Sequence, residues 1–200
     1  MVNDSIHEIT DEAIREVPRA VIASGGETNK YIQSLCKDIL RISKDRSDGY
    51  SNDEVGILSS LDGKFQTEPI YGYWNEEKQI SIIDIWNNEK YQEAIIFAEK
   101  NSLVFVHNHP DYSKVSYNDL INLITTEAIK IVVAVSNNGN VSFAFRKSND
   151  FSKYAKLYKK IQTEIYNKAG LERRYYIDKI YNDMINNPSA YGLIIAESRR

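Results

Sequence analysis

The chain has 200 residues and a formal net charge of −3, and its 42% hydrophobic and 26% charged residues are ordinary values for a globular protein. A single cysteine, Cys36, excludes an internal disulfide and every zinc site built from several cysteines. No apolar run approaches the roughly 20 residues that span a membrane. The first residues lack the basic-then-apolar order of a signal peptide. We therefore expect a cytoplasmic protein that does not act at a membrane.

The first fifty residues are predicted to be mainly helical. Residues 10–46 form two helical pieces that are broken around Ser24-Gly25-Gly26, and the second piece has apolar residues at helical spacing. The stretch 47–53 is rich in turn-forming residues and marks a boundary. The predicted organisation is a helical N-terminal extension (1–49), a central domain (50–147) and a basic helical C-terminal extension (148–200).

The central domain alternates strands and helices. Asp62-Gly63 favours a tight turn between its first two strands, and Pro69 indicates that the second of these lies at an edge or is interrupted. The predicted order is strand 55–61, strand 64–73, strand 80–86, helix 89–100, strand 102–106, helix 116–127, strand 129–135 and strand 141–146. This order predicts an α/β protein with a mixed β-sheet and flanking helices.

The C-terminal extension is predicted to be helical from about Ser148, with Gly170 as the C-cap of a first helix and a second helix over 172–185. Residues 146–200 contain twelve basic and six acidic side chains, a net charge of +6, so the other 145 residues carry −9. A basic segment on an acidic body suits an acidic partner or nucleic acid. Lysines on the solvated face of helices are the commoner explanation.

The residues with the clearest chemical meaning are His107-Asn108-His109-Pro110, which follow an apolar strand. The chain has only three histidines, and two of them lie here, at positions i and i+2. Side chains alternate along an extended strand, so both imidazoles project to one side and Asn108 to the other. Asp119, in the first turn of the next helix, can fold back as a third ligand. Such a set leaves the fourth tetrahedral position of a zinc ion open for water.

Each part of this pattern has a simpler explanation. A His-x-His sequence at a strand end is more often a hydrogen-bonded polar pair than a metal site. Ser116 and Asp119 also suit the N-cap and N3 positions of a capping box. The metal site is favoured because the features occur together: the histidines end an apolar strand, a proline follows, and Ser-x-x-Asp begins the next helix.

This combination resembles the JAMM (MPN+, JAB domain) metalloprotease family, whose signature is a glutamate followed by His-x-His-Pro and Ser-x-x-Asp. The stretch Glu54-Val55-Gly56-Ile57-Leu58 matches the family's upstream Glu-x-Gly pattern, so the resemblance spans about 54–147. It implies the layered JAB/MPN fold, similar to that of cytidine deaminases. It also implies Zn²⁺ bound by His107, His109 and Asp119, a protein or peptide substrate, and hydrolysis of a peptide or isopeptide bond.

In that family the glutamate, here Glu54, acts as general base and then general acid, and the serine, here Ser116, donates to the oxyanion. Six residues separate His109 from Ser116, whereas deubiquitinating members usually have seven. The tetrapeptide His-Asn-His-Pro is more similar to the RadC-like and phage-associated branches of the family. The resemblance therefore leaves the identity of the substrate open, with a ubiquitin-like protein or a precursor protein as candidates.

Two alternatives remain beside this interpretation. Glu68 is a second candidate base, ranked behind Glu54. A non-catalytic or weakly catalytic metal-binding JAB module would act instead through a partner or nucleic acid. Other enzyme classes are excluded: a zinc deaminase needs Pro-Cys-x-x-Cys, and amidohydrolase-like or cupin-like sites need a histidine after His109. The tripeptide His-Asn-His is also not the HNH nuclease motif, whose residues are dispersed along the chain. A nuclease site needs further ligands, and a chain with three histidines does not easily supply them.

Overall fold

The computed structural model describes residues 8–22, 26–46, 54–75, 80–110 and 113–198. The described strands are β1 (Val55–Ser60), β2 (Ile70–Tyr71), β3 (Tyr73–Asn75), β4 (Ile80–Ile82), β5 (Leu103–His109), β6 (Ile129–Ser136), β7 (Val141–Arg146) and β8 (Leu193–Ser198). The described α-helices are α1 (Asp11–Arg15), α2 (Gly26–Arg46), α3 (Glu89–Phe97), α4 (Tyr117–Thr125), α5 (Phe151–Ile165) and α6 (Gly170–Asn186). Short 3₁₀ helices cover Ile85–Asn87 and Pro188–Tyr191.

Six of these strands form one mixed sheet in the order β2-β1-β5-β6-β7-β8. β5 and β6 are parallel and are connected through α4, whereas every other neighbouring pair in this sheet is antiparallel. β3 and β4 form a separate two-stranded sheet. The predicted mixed α/β class with flanking helices is confirmed.

Alternating side chains of the central strands enter two hydrophobic cores, one on each face of the sheet. On one face Phe105 packs with residues of α3, α4, α5 and α6. On the other face Val104 and Val106 pack with apolar residues of α1, α2 and the segment between them. The described residues of 9–22 and 26–46 therefore cover one face of the sheet, and α3–α6 cover the other.

A tight turn between β6 and β7 anchors the N-terminal segment. Gly139 in this turn has φ +88°, and a Cβ atom there would lie 2.5 Å from the carbonyl oxygen of Ala13. Only glycine satisfies both the left-handed backbone and this close approach. The turn therefore packs directly against the backbone of α1.

Arg146, at the end of β7, is buried at the end of the sheet opposite the histidines. Its guanidinium donates to the carbonyl oxygens of Leu123, Thr126 and Glu127 at 2.8–2.9 Å, and to Asn101 Oδ1 at 2.7 Å. These carbonyls belong to the last turn of α4 and the residues after it, where helical acceptors lack partners. Arg146, one of the basic residues counted in the C-terminal stretch, is thus an internal helix cap.

Several sequence predictions differ from the structure in extent. Helix α1 ends at Arg15, and residues 17–22 are extended or irregular. The strand predicted over 64–73 is reduced to a bridge at Gln66, to β2 and to the first residue of β3, because Pro69 interrupts it. The strand predicted over 80–86 ends at Ile82.

The largest difference lies in the C-terminal extension, which is not wholly helical. β8 pairs with β7 and completes the sheet. α5 ends at Ile165, so Gly170 is not its C-cap; with φ +51°, Gly170 begins α6 instead. The predicted boundary at 47–53 lies outside the described residues. Among the helices that the structure describes, none is long and apolar enough to cross a membrane.

Candidate metal centre

Strand β5 carries both histidines to the same point. His107 and His109 are almost completely buried, and their Nε2 atoms lie 2.9 Å apart. The ring of His107 stacks on that of Phe105, with the centroids 4.8 Å apart and the planes 8° from parallel. The alternation of the strand therefore aims two imidazole nitrogens at one position, as predicted.

Asp119 faces the two histidines from the first turn of α4. Its Oδ1 lies 3.2 Å from His107 Nε2, and its Oδ2 lies 3.5 Å from His109 Nε2. The backbone N–H of Ser116 donates to Asp119 Oδ2 at 2.6 Å, and the N–H of Asp119 donates to Ser116 Oγ at 3.2 Å. The capping box and the candidate ligand are thus one arrangement, in which the helix start orients the carboxylate.

Glu54 lies beside this group, immediately before β1. Its Oε1 is 3.9 Å from His109 Nε2, and its Oε2 accepts a hydrogen bond of 3.1 Å from the N–H of Ile83. The side chain remains 19% exposed, so water can reach it. Glu68 is exposed instead and lines a different cavity, an apolar groove between the β1–β2 connection and α3.

The glycine two residues after Glu54 is required by packing. Gly56 pairs with His107 in the β1–β5 ladder, and a Cβ atom on it would lie 2.9 Å from Cε2 of Phe105. The Phe105 ring supports His107 by stacking. A side chain at position 56 would therefore displace the platform on which the first histidine rests.

Ser113, which the sequence did not identify, supports His109. The Nδ1 atom of His109 lies 2.8 Å from Ser113 Oγ and 3.3 Å from the carbonyl oxygen of Ser113. A proton on Nδ1 satisfies that carbonyl and leaves the lone pair on Nε2, the form that binds a metal. This contact depends on the conformation of the loop after Pro110, which no sequence pattern specifies.

Burial and neighbouring charges shift the pKa values of the two carboxyl groups in the site. Burial alone would raise the pKa of Asp119, but His107 and His109 lower that pKa well below its usual range. Burial raises the pKa of Glu54, and the nearby Asp119 adds to this effect while the histidines oppose it. Two carboxyl groups thus share one buried cluster with two imidazoles.

The donor set suits a divalent cation. One ligand atom from each of His107, His109 and Asp119 lies within 4.8 Å of the others. Within the part of the chain that the structure describes, Nδ1 of buried His107 has no hydrogen-bond partner. Two imidazoles and one carboxylate are ligands that zinc accepts, and the same set accepts other divalent ions. The three predicted ligands are therefore brought together as a group that can hold a metal.

Asn108 and Cys36, to which the sequence assigns no role in the site, lie outside the group. Asn108 lies between the ligands, and its buried amide contacts α2 and β1 on the opposite face, as the alternation predicts. Cys36 is buried on α2, where desolvation raises the pKa of its thiol to about 12. The cysteine therefore contributes no thiolate to the site.

Comparison of the chain with protein-family models, with curated proteins and with solved structures finds no match.

Proposed function

We propose that this chain is a zinc-dependent hydrolase of peptide or isopeptide bonds of the JAMM (JAB domain) type. The observation that carries the proposal is the position of Glu54, whose carboxylate lies 3.9 Å from His109 at the edge of the His107–His109–Asp119 group. A metal that only stabilises the fold needs four closed ligands and no partly exposed base beside them. A hydrolytic site needs three ligands, an open position and such a base.

His107, His109 and Asp119 would hold the ion. A zinc ion with three protein ligands lowers the pKa of its water to about 7 and polarises a carbonyl group. The capping box of α4 and the contact of Ser113 with His109 orient the ligands before any ion arrives. The chain therefore supplies a preorganised site.

Glu54 and Ser116 supply the remaining chemistry. Glu54 Oε1 takes a proton from the attacking water and passes it to the leaving amine, which makes Glu54 general base and then general acid. Ser116 Oγ accepts from the N–H of Asp119, so its hydroxyl proton is available for the oxyanion that develops on the substrate. Removal of a single oxyanion donor typically costs about 3 kcal/mol of transition-state stabilisation.

The test compares two glutamates in the full chain loaded with zinc. Glu54→Gln should keep the wild-type zinc content and lose hydrolysis of peptide and lysine-isopeptide substrates by at least about 100-fold. Glu68→Gln is the matched control, because Glu68 is exposed and lines another cavity. It should retain wild-type turnover. Hydrolysis that survives in Glu54→Gln, or is lost in Glu68→Gln, would contradict the assignment of the base.

A non-catalytic role through an acidic partner or nucleic acid is the second candidate. The observation that favours it is a group of exposed lysines on α5: Lys153, Lys156, Lys159 and Lys160. Binding to this surface should weaken steeply as salt is raised. Zinc binding without any hydrolysis, together with salt-sensitive binding of DNA or RNA that is lost when these lysines become glutamine, would favour this role over catalysis.

A further inference from the structure

The residue between the two histidines contacts the strand that carries Glu54. The amide oxygen of Asn108 accepts a hydrogen bond of 2.6 Å from the backbone N–H of Val55. Val55 directly follows Glu54 and is fully buried, as is Asn108. One short bond therefore joins the strand of the two ligands to the residue beside the candidate base.

This bond lies where the regular pairing of β1 with β5 stops, although β1 still pairs with β2 at Val55. The paired register of β1 and β5 ends at Gly56 opposite His107, so Glu54 lies two residues beyond the last pair. The side chain of Asn108 takes the next N–H of β1 that faces β5. It thus extends the attachment of β1 by one residue toward Glu54.

The amide of Asn108 is itself held from two other elements. Its Nδ2 lies 3.4 Å from Ser43 Oγ on α2 and 3.3 Å from Asn137 Oδ1 in the turn after β6. All three side chains are fully buried. Asn137 Oδ1 by itself gives the amide nitrogen an acceptor on the side away from Val55, so the oxygen stays aimed at Val55.

Loss of this acceptor would change the position of Glu54. The N–H of Val55 would stay buried without a partner, which costs about 1–3 kcal/mol unless the chain shifts to find another. The first residues of β1 would then move relative to β5. A displacement of about 1 Å at a catalytic group can cost about 100-fold in rate.

We propose that Asn108 is a positioning residue, which holds the start of β1 so that the carboxylate of Glu54 stays beside His109. Its effect on turnover rests on the proposed hydrolase function, whereas its effect on the position of Glu54 does not. Neighbouring residues of β5 thus have different roles on its two faces. His107 and His109 supply ligands on one face, and Asn108 on the other face holds Glu54 in position.

Three variants isolate the bond. Asn108→Leu keeps a similar volume and removes the acceptor, and Asn108→Asp keeps an acceptor for Val55. Ser43→Ala is the matched control, because it removes another contact of the same amide and leaves the bond to Val55 intact. If Asn108→Leu does not fold, Asn108→Ala takes its place and is judged by the same outcomes.

The first measurement uses Mn²⁺ bound to the full chain, with ¹³C-labelled glutamate and the Glu54 carboxyl signal assigned by its absence in Glu54→Gln. Paramagnetic broadening of that signal should be strong in wild type, Ser43→Ala and Asn108→Asp. It should be smaller in Asn108→Leu at unchanged Mn²⁺ content, because the paramagnetic effect falls with the sixth power of the distance between the carboxyl carbon and the ion. Equal broadening in Asn108→Leu, or its loss in Asn108→Asp, would overturn the proposal. Loss of Mn²⁺ binding would also overturn it, because Asn108 would then support the ligands.

The second measurement is turnover of the zinc-loaded variants. Asn108→Leu should lower kcat by about 10- to 100-fold with KM unchanged, and Ser43→Ala should leave both constants unchanged. A lower kcat in Ser43→Ala, or an unchanged kcat in Asn108→Leu, would overturn the proposal. If wild type hydrolyses nothing, the proposed function fails, and the Mn²⁺ measurement alone still decides whether Asn108 positions Glu54.

Discussion

Two buried polar clusters lie at opposite ends of the central strands, and they differ in how their hydrogen bonds are satisfied. At the amino ends of β5 and β6, the guanidinium of Arg146 meets three carbonyl oxygens and one amide oxygen at 2.7–2.9 Å. At the carboxyl end of β5, two imidazole nitrogens and a carboxylate converge at 2.9–3.5 Å from one another.

The first cluster is satisfied chiefly by the protein, whereas the second is a group that can hold a metal ion. Donors and acceptors match around Arg146, with only its Nε left without a partner among the described residues. The group around His107 leaves His107 Nδ1 without a partner among the described residues, and a second carboxyl group, Glu54, lies within reach of His109. The difference teaches that a buried charge serves the fold when the chain completes its hydrogen bonds, and indicates a ligand when the chain does not.

The largest expected effect is the loss of zinc-dependent stability. At a zinc concentration about 1,000 times the Kd, a bound ion stabilises the wild type by about 4 kcal/mol. The His107→Ala/His109→Ala variant should show no such gain, because two of its three ligands are missing. Thermal unfolding with and without zinc checks this. An equal rise of Tm in wild type and variant would place the metal elsewhere.

Disruption of the Arg146 cluster should act on the fold alone. Arg146→Met leaves buried acceptors on Leu123, Thr126 and Glu127 without their donor, and should cost about 3 kcal/mol of unfolding free energy. Arg146→Lys should cost less, because an ammonium group replaces only part of the planar fork. Urea unfolding measures both. Zinc content per folded chain should stay at the wild-type value, and a parallel loss of zinc would show that the two clusters are coupled.

The loop contact of His109 should have a smaller effect. Ser113→Ala removes the hydroxyl group 2.8 Å from His109 Nδ1 but leaves the Ser113 carbonyl. We expect zinc affinity to fall about tenfold, as for other groups that orient a metal-bound histidine. Ser102→Ala is the control, because its hydroxyl donates to Glu99 at the other end of β5. Zinc titration of the two variants would contradict the role of Ser113 if their affinities were equal.

The smallest effect concerns the metal-free chain and depends on pH. Burial raises the pKa of Glu54 in the folded state. Folding therefore favours its protonated form, and the stability linked to Glu54 is full below the unfolded pKa and falls as pH rises through the folded pKa. Glu54→Gln should stabilise the metal-free chain at pH 7, by less than about 1 kcal/mol, and not at pH 4. If the gain in unfolding free energy were independent of pH, the pKa of Glu54 would not be raised in the folded state.

The two clusters also show which features could be predicted from the sequence. The alternation of β5 predicted that His107 and His109 share a face and that Asn108 does not, because strand geometry is a local rule. Asp119 followed from the helix start at Ser116. Ser113 could not be predicted, since its contact with His109 depends on a loop conformation.

The opposite end of the sheet was less predictable. Arg146 was counted as one basic residue among many, because nothing in its neighbourhood signals that α4 ends beside it. The strand over Leu193–Ser198 was also missed. Its six residues carry no clear alternation, and their extended form comes from pairing with β7, a contact between distant parts of the chain.

The most direct test of the metal centre is the zinc content of the chain, measured by elemental analysis with X-ray absorption at the zinc edge after zinc is offered at neutral pH. We predict about one zinc per chain, with two imidazole nitrogens and light oxygen ligands around it, and no zinc in His107→Ala/His109→Ala. A wild-type chain that takes up no zinc under these conditions would contradict the account, because the buried cluster would then be complete without a cation.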